Sequence, residues 1–167
     1  MQTDLFGLGG AVFSDDRVHR YTLTRVWDRS REVAMFIGLN PSTADETQDD
    51  PTIRRCTRFA RDWGFGGLVM TNIFAFRSTD PNGMKAARDP VGPDNDDHIL
   101  KMAMHAGVIV CAWGAHGVFM DRGLEVVELL RGFKLKIFKT TKSGMPVHPL
   151  YQRADAPLKT YEVIVNE

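Results

Sequence analysis

Apolar residues recur along this chain in two rhythms. Nearly continuous apolar runs occur at 33-VAMFIG-38, 67-GLVM-70 and 107-GVIVCAWG-114, as expected of strands covered on both faces. Between the first two lies 51-PTIRRCTRFARDWG-64, where Ile53, Cys56, Phe59 or Ala60, and Trp63 repeat at helical spacing. Asp50 suits its N-cap, Pro51 its first position and Gly64 its stop. A second helix is expected over roughly 94–106 behind Asp94, and a third over 115–131 with Val118, Leu124, Val127 and Leu130 inward. The segment 134-KLKIF-138 alternates as a fourth central strand, and 158-LKTYEVIV-165 reads as an edge strand. Residues 18–27 also alternate, and the polar turn 28–32 joins them to the strand at 33–39, so these two are expected to pair as a hairpin. Residues 1–16, with Gly7, Gly9 and Gly10, read as a loose arm. Strands alternating with helices imply crossover connections and parallel pairing. The expected architecture is α/β: one domain over the whole chain, a three-layer α/β/α sandwich whose mainly parallel central sheet has about four strands.

Composition narrows the setting. The chain has 167 residues, 43% hydrophobic and 25% charged, in keeping with a soluble globular domain. No apolar run approaches a membrane span and the start, MQTDLFGLGG, lacks the features of a signal peptide, so the expected location is cytoplasmic with no membrane partner. Lysine plus arginine equals aspartate plus glutamate at 21 each, which argues against a strong non-specific grip on nucleic acid. The cysteines, Cys56 and Cys111, are too far apart for a C-x-x-C site and read as buried thiols. Nothing calls for a metal or another cofactor.

The candidate chemistry lies where the strands stop. The first central strand runs into Asn40-Pro41-Ser42, the second into Thr71-Asn72, the third into Trp113-Gly114-Ala115-His116, and the fourth leads to His148-Pro149. Proline cannot continue a strand, and in a parallel sheet all four endings meet at one edge, where open α/β sheets bind ligands. An Asn side chain offers one acceptor and two donors. A His can donate to an oxygen that gains negative charge. Two Asn and a His, with Trp113, Phe74 or Phe76 for stacking, suit a planar heterocycle better than phosphoryl transfer, which wants metal carboxylates and a phosphate cradle. Blander readings stand beside these. Asn40 and Asn72 can stabilise turns, His148 can be a surface imidazole, and His116 and Trp113 can simply pack. Arg77 can meet an anion or pair with Asp80. Asp45 can serve as an acid–base group or be an ordinary loop carboxylate. Lys139, Thr141, Lys142 and Ser143 can grip a sugar-phosphate backbone or merely keep a loop soluble. Arg54, Arg58 and Arg61 share one helix face, read first as solvated surface and second as a phosphate-facing stripe.

The segments LNPSTAD, DDPTIRRC, GFGGLVMTNIFAFRSTDP, DPVGPDND, AWGAHG and HPLY make the chain similar to a small bacterial and phage family catalogued as domain of unknown function 1643. More distantly, Gly38-Leu39-Asn40-Pro41, Thr71-Asn72 and His148-Pro149 resemble motifs of the uracil-DNA glycosylase superfamily. That likeness implies a glycosylase-like fold and a nucleobase, nucleotide or DNA as partner. It implies hydrolysis of an N-glycosidic bond of a modified base, with Asn40 positioning water, Asn72 reading the base and His148 stabilising the departing base. Pro41 and Ser42 then belong to the ligand-facing loop, and Leu150 becomes a duplex wedge or a buried anchor. Ser42 stands where the superfamily motif has glycine, and Leu150-Tyr151 where it has Ser-Pro. The alternative is a non-catalytic nucleotide- or nucleic-acid-binding module that keeps the pocket.

Overall fold

The structure, a computed structural model, describes residues 9–163. One mixed sheet of seven strands crosses it. The strands are β1 (Gly9–Phe13), β2 (Arg20–Val26), β3 (Val33–Gly38), β4 (Gly67–Asn72), β5 (Val108–Cys111), β6 (Leu135–Ile137) and β7 (Lys159–Thr160), in the spatial order β1-β2-β4-β3-β5-β6-β7. The run β4-β3-β5-β6 is parallel. Antiparallel strands extend it on both sides, β2 and β1 beyond β4, and β7 beyond β6.

The helices are α1 (Pro51–Asp62), α2 (Pro81–Lys85), α3 (Asn95–Ala103) and α4 (Arg122–Leu129). Ile53, Cys56, Phe59 and Ala60 of α1 pack with Ala34, Phe36, Leu68, Met70 and Val110 on one face of the sheet. Ile99, Met102 and Ala103 of α3 and Val126 of α4 pack with Val33, Met35, Ile37, Ile109 and Cys111 on the other. Covered on both faces, β3 and β4 are buried at every position, which explains their unbroken apolar runs. Both cysteines are buried and unpaired, and burial pushes both thiols far up.

Several expectations are corrected. Among the described residues the sheet has seven strands rather than about four, four of them forming the parallel run. Strand β2 does not pair with β3; β4 inserts between them. The turn 28–32 opens around Gly66, whose carbonyl accepts from the Trp27 and Asp28 N–H groups at 2.9 and 3.0 Å, while its own N–H donates to Glu32 O at 2.8 Å. A Cβ on Gly66 would lie 2.0 Å from Asp28 O and 2.8 Å from Arg31 Cβ, so only glycine admits the incoming strand. Within the expected arm, residues 9–13 form β1, while Gly7 lies outside the described residues. The helix expected over 115–131 is broken. A 3-10 turn spans Ala115–Asp121, with Met120 and Asp121 at positive φ, before α4 begins. Val118 and Leu124 are consequently exposed rather than inward. The last strand is short, Lys159–Thr160, and the end of its expected span lies outside the described residues. No helix among the described residues is long and apolar enough to cross a membrane.

Candidate functional site

The helix after β3 covers one face of the sheet and the helix after β5 covers the other. Two neighbouring strands whose connections leave in opposite directions create a crevice at their carboxyl ends. A cavity of about 470 Å3 lies there, a size suited to a small ligand. Gly38 ends β3 and Leu39 to Ser42 follow it, Asn72 ends β4, Ala112 to His116 follow β5, and His148 to Tyr151 close the cavity from beyond β6. Phe36, Met70 and Ile53 add an apolar surface, and Arg20, Asp50 and Thr52 add polar groups. Asn40, Asn72 and His148, more than a hundred residues apart at the extremes, thus share one hollow.

Backbone hydrogen bonds hold the strand ends. Ile73 and Phe74 N–H donate to Gly38 O and Leu39 O at 2.9 and 3.0 Å, and Ser78 N–H donates to Pro41 O at 2.9 Å. The Asn40 Nδ2 group donates to Ser78 O at 2.9 Å and Pro41 O at 3.2 Å. Asn40 therefore clamps the loop with its amide N–H bonds, and its carbonyl oxygen has no protein donor among the described residues. Asn72 differs. Its side chain is 4% exposed, yet its Nδ2 has no partner. A Cβ on Gly38 would come within 2.7 Å of Asn72 Oδ1, so the glycine before Leu39-Asn40 leaves room for the Asn72 amide. A buried donor without an acceptor is costly, and it belongs to a residue that borders the cavity.

His148 precedes the 3-10 turn Pro149–Tyr151, and its Nδ1 accepts the Leu150 N–H at 3.1 Å. That bond makes Nδ1 the unprotonated nitrogen, so the neutral ring carries its proton on Nε2. Burial lowers the imidazole pKa, against the opposing pull of Asp50. Burial and the Nδ1 bond both favour the neutral ring with its proton on Nε2, in a residue that borders the cavity. Trp113 is 1% exposed, borders the same cavity, and donates its indole N–H to Met145 Sδ at 3.3 Å; it is a core residue that also forms a wall. His116 is exposed rather than packed, and lies 2.9 Å from Lys85 Nζ through Nδ1.

Two wall residues escaped the motif-based reading. Arg20 is 2% exposed, and its guanidinium donates to Ala44 O at 3.0 Å. Asp50 caps α1, accepting Ile53 N–H at 2.9 Å through Oδ1, and it is buried against the cavity. Among the described residues, no donor pairs with its Oδ2. Neither sits in a strand-end motif; the signal for Asp50 was its N-cap position, and for Arg20 a cation inside a strand otherwise buried by pattern.

Other expected site residues lie elsewhere. Asp45 Oδ1 accepts the Thr47 and Gln48 N–H groups at 2.9 and 2.8 Å, which holds its carboxyl below the usual range; it orders a turn outside the cavity. Phe74 is fully buried and packs against Phe119. Arg77 lies over the Phe13 ring and donates to Arg17 O, forming no pair with Asp80. Lys139 and Lys142 are exposed, and Thr141 and Ser143 hydrogen-bond to each other at 2.9 Å in a hairpin tip closed by a Thr140–Pro146 bridge. Ser143 borders a second groove, not this cavity. Arg54, Arg58 and Arg61 are exposed, Arg61 stacking over Trp27. Asp96 binds Arg122, and the described residues hold no cluster able to ligate a metal.

A family model described as "Protein of unknown function (DUF1643)" matches residues 20–150. No curated protein and no solved structure matches the chain. The matched span contains every strand ending that borders the cavity, through Leu150.

Proposed function

The chain belongs to the DUF1643 family of proteins of unknown function, so its activity has to be read from its cavity: we propose that this cavity binds a nucleobase or nucleotide and hydrolyses an N-glycosidic bond. The observation that carries the reading is the buried, unpartnered Nδ2 of Asn72 at the wall of a hollow also bordered by Asn40 and His148. An amide in a wall that also carries Phe36, Met70 and Trp113 suits the edge of a flat ring that presents a carbonyl oxygen or ring nitrogen. The distant likeness to uracil-DNA glycosylases supports the same assignment.

In this mechanism Asn72 meets the base edge and fixes its orientation. The Nε2–H of His148 donates to an oxygen of the base that becomes negative as the C1′–N bond lengthens, and a neutral imidazole does so without first losing a proton. The free Oδ1 of Asn40 accepts a hydrogen bond from the attacking water and aims it. An amide does not remove the proton, so rate comes from positioning and from charge stabilisation. The products are the free base and a sugar hydroxyl at C1′.

The second reading, a binding module without chemistry, draws on Asn40. Its Nδ2 is engaged with Ser78 O and Pro41 O, as in a residue kept to shape a loop. One assay separates the two. Oligonucleotides carrying uracil, hydroxymethylated or glucosylated pyrimidines, and the corresponding free nucleotides, are incubated with the protein. Abasic sites are then scored by alkaline cleavage and released base by chromatography. The enzyme reading expects base release that falls about a hundred- to a thousand-fold in His148→Ala. Saturable binding with no release in the wild type supports the module, and absence of both contradicts the nucleobase reading itself.

A further inference from the structure

Two buried arginines of this chain receive opposite treatment. Arg122, 1% exposed, donates Nε to Ile73 O at 2.7 Å and pairs with Glu125 at 2.6 Å and Asp96 at 2.5 Å. The Arg20 side chain, in a residue 2% exposed, donates to Ala44 O, and among the described residues its Nε has no partner. Among the described ion pairs no carboxylate reaches it. A buried guanidinium without a counter-ion is strongly disfavoured, and desolvation draws its pKa down to about 10. The charges around it do not repair this. Asp50 attracts it, whereas Arg77 and Arg25 repel it; Arg25 is already paired with Asp49 at 3.0 Å. The one nearby anion, Asp50, makes no ion-pair contact with Arg20 among the described residues.

Arg20 borders the cavity, and so does the first turn of α1, through Asp50, Thr52 and Ile53. In that turn Ile53 N–H is taken by Asp50 Oδ1 and Arg54 N–H by Asp50 O. Pro51 has no N–H, and Thr52 N–H has no acceptor among the described residues. A helix start with a free N–H favours anions. Asp50 stands in the same wall and opposes added negative charge, which Arg20 offsets.

We propose that Arg20 and the Thr52 end of α1 form a phosphate subsite of the cavity, so that the ligand is a nucleoside carrying a phosphate rather than a bare base or nucleoside. The ring half of this ligand rests on the function proposed above; the phosphate half does not. Arg20 supplies charge-assisted donors, and Thr52 adds its N–H and hydroxyl. The phosphate belongs either to a free mononucleotide or to the backbone of a strand entering the cavity, a chemistry common to both.

Calorimetric titration of the full chain with uridine, uridine 5′-monophosphate, the dinucleotide thymidylyl-thymidine and inorganic phosphate tests this. The expected result is a preference of about tenfold or more for the monophosphate over uridine, competition by inorganic phosphate, and loss of that preference in Arg20→Met with uridine binding retained. Arg20→Lys, which keeps the charge, retains part of the preference; a purely structural arginine would change stability in both variants and leave the ratio alone. Tighter binding of the dinucleotide than of the monophosphate places the phosphate in a strand, and the reverse places it in a free nucleotide. Equal affinity of uridine and its monophosphate in the wild type, or a preference that survives Arg20→Met, overturns the subsite while leaving ring binding intact. Binding of phosphate and monophosphate alike through Arg20, with none of uridine, keeps the subsite and removes the ring. No binding of any of the four overturns both.

Discussion

Asp50 performs two tasks that one substitution can separate. Its Oδ1 caps α1 through Ile53 N–H, and its carboxylate faces the cavity beside Arg20 and His148. Asn can cap as Asp does, whereas Ala cannot, so Asp50→Asn is expected to unfold within about 0.5 kcal/mol of wild type and Asp50→Ala about 1 kcal/mol earlier, read by urea denaturation. Equal losses in both would mean that the charge, not the cap, holds the helix. His148 adds a pH dependence. Its folded pKa lies below the ordinary 6.5 because burial disfavours the cation, so the unfolded chain takes up the proton more readily. The stabilisation is fully present above about pH 6.5 and is lost as pH falls through the lower folded value. His98 is shifted in the same direction, so the informative quantity is the difference between wild type and His148→Asn, which keeps an acceptor for Leu150 N–H. The variant is expected to lose less stability than wild type between pH 7.5 and 5.5; parallel curves would show that His148 is not held neutral. At this scale the residue types at strand ends were legible, because Pro41 and Pro149 force the chain out of the sheet. The idle donors of Asn72 and Arg20 were not, since satisfaction of a buried polar atom depends on neighbours remote in sequence.

Among the elements, the glycines mark where chain segments meet most closely. Gly66→Ala is expected to cost about 3 kcal/mol or more, because the new methyl meets Asp28 O and Arg31 Cβ, both backbone-anchored. Gly38→Ala meets only the Asn72 amide oxygen at 2.7 Å. It is expected to cost about 1 kcal/mol while weakening ligand binding about tenfold, by turning the Asn72 amide. A Gly38→Ala protein with unchanged affinity would remove Asn72 from the site. Helix α1 was readable in full: its apolar spacing, cap and first proline all agree, and no distant contact overrides them. The region after Trp113 was not. Its apolar spacing matches a helix, but the positive φ at Met120 and Asp121 breaks it; Met120 gives no turn signal by composition, and a lone Asp gives only a weak one. The expected β2–β3 hairpin failed for a related reason. A short polar turn permits direct pairing, and only the tight fit of Gly66 inside that turn reveals the inserted strand.

For the molecule as a whole, the sheet order places stability and function at opposite depths. Strands β3, β4 and β5 lie in the middle with both edges paired, while β1 and β7 end the sheet among the described residues. Amide exchange is expected to be slowest in β3 and β4 and fastest in β1 and β7; early exchange of β3 would contradict the strand order. The alternation of strands and helices revealed the class of fold and the common edge of the parallel strands. It revealed strands at 18–27 and 158–165, but not that β4 separates the first of them from β3, nor β1, which is short, glycine-rich and partly exposed, nor that Lys139 and Lys142 would lie outside the lining of the cavity. The cavity depends on that common edge. Its most direct test is a nuclear magnetic resonance titration of labelled protein with uridine 5′-monophosphate, following the side-chain amides of Asn40 and Asn72 together with the ring of His148. Saturable shifts concentrated at these three groups, and absent at the exposed Val118 and Leu124, are the predicted result. Unchanged signals at all three through millimolar ligand, or shifts confined to the Val118 side, would contradict a nucleotide pocket at the strand ends.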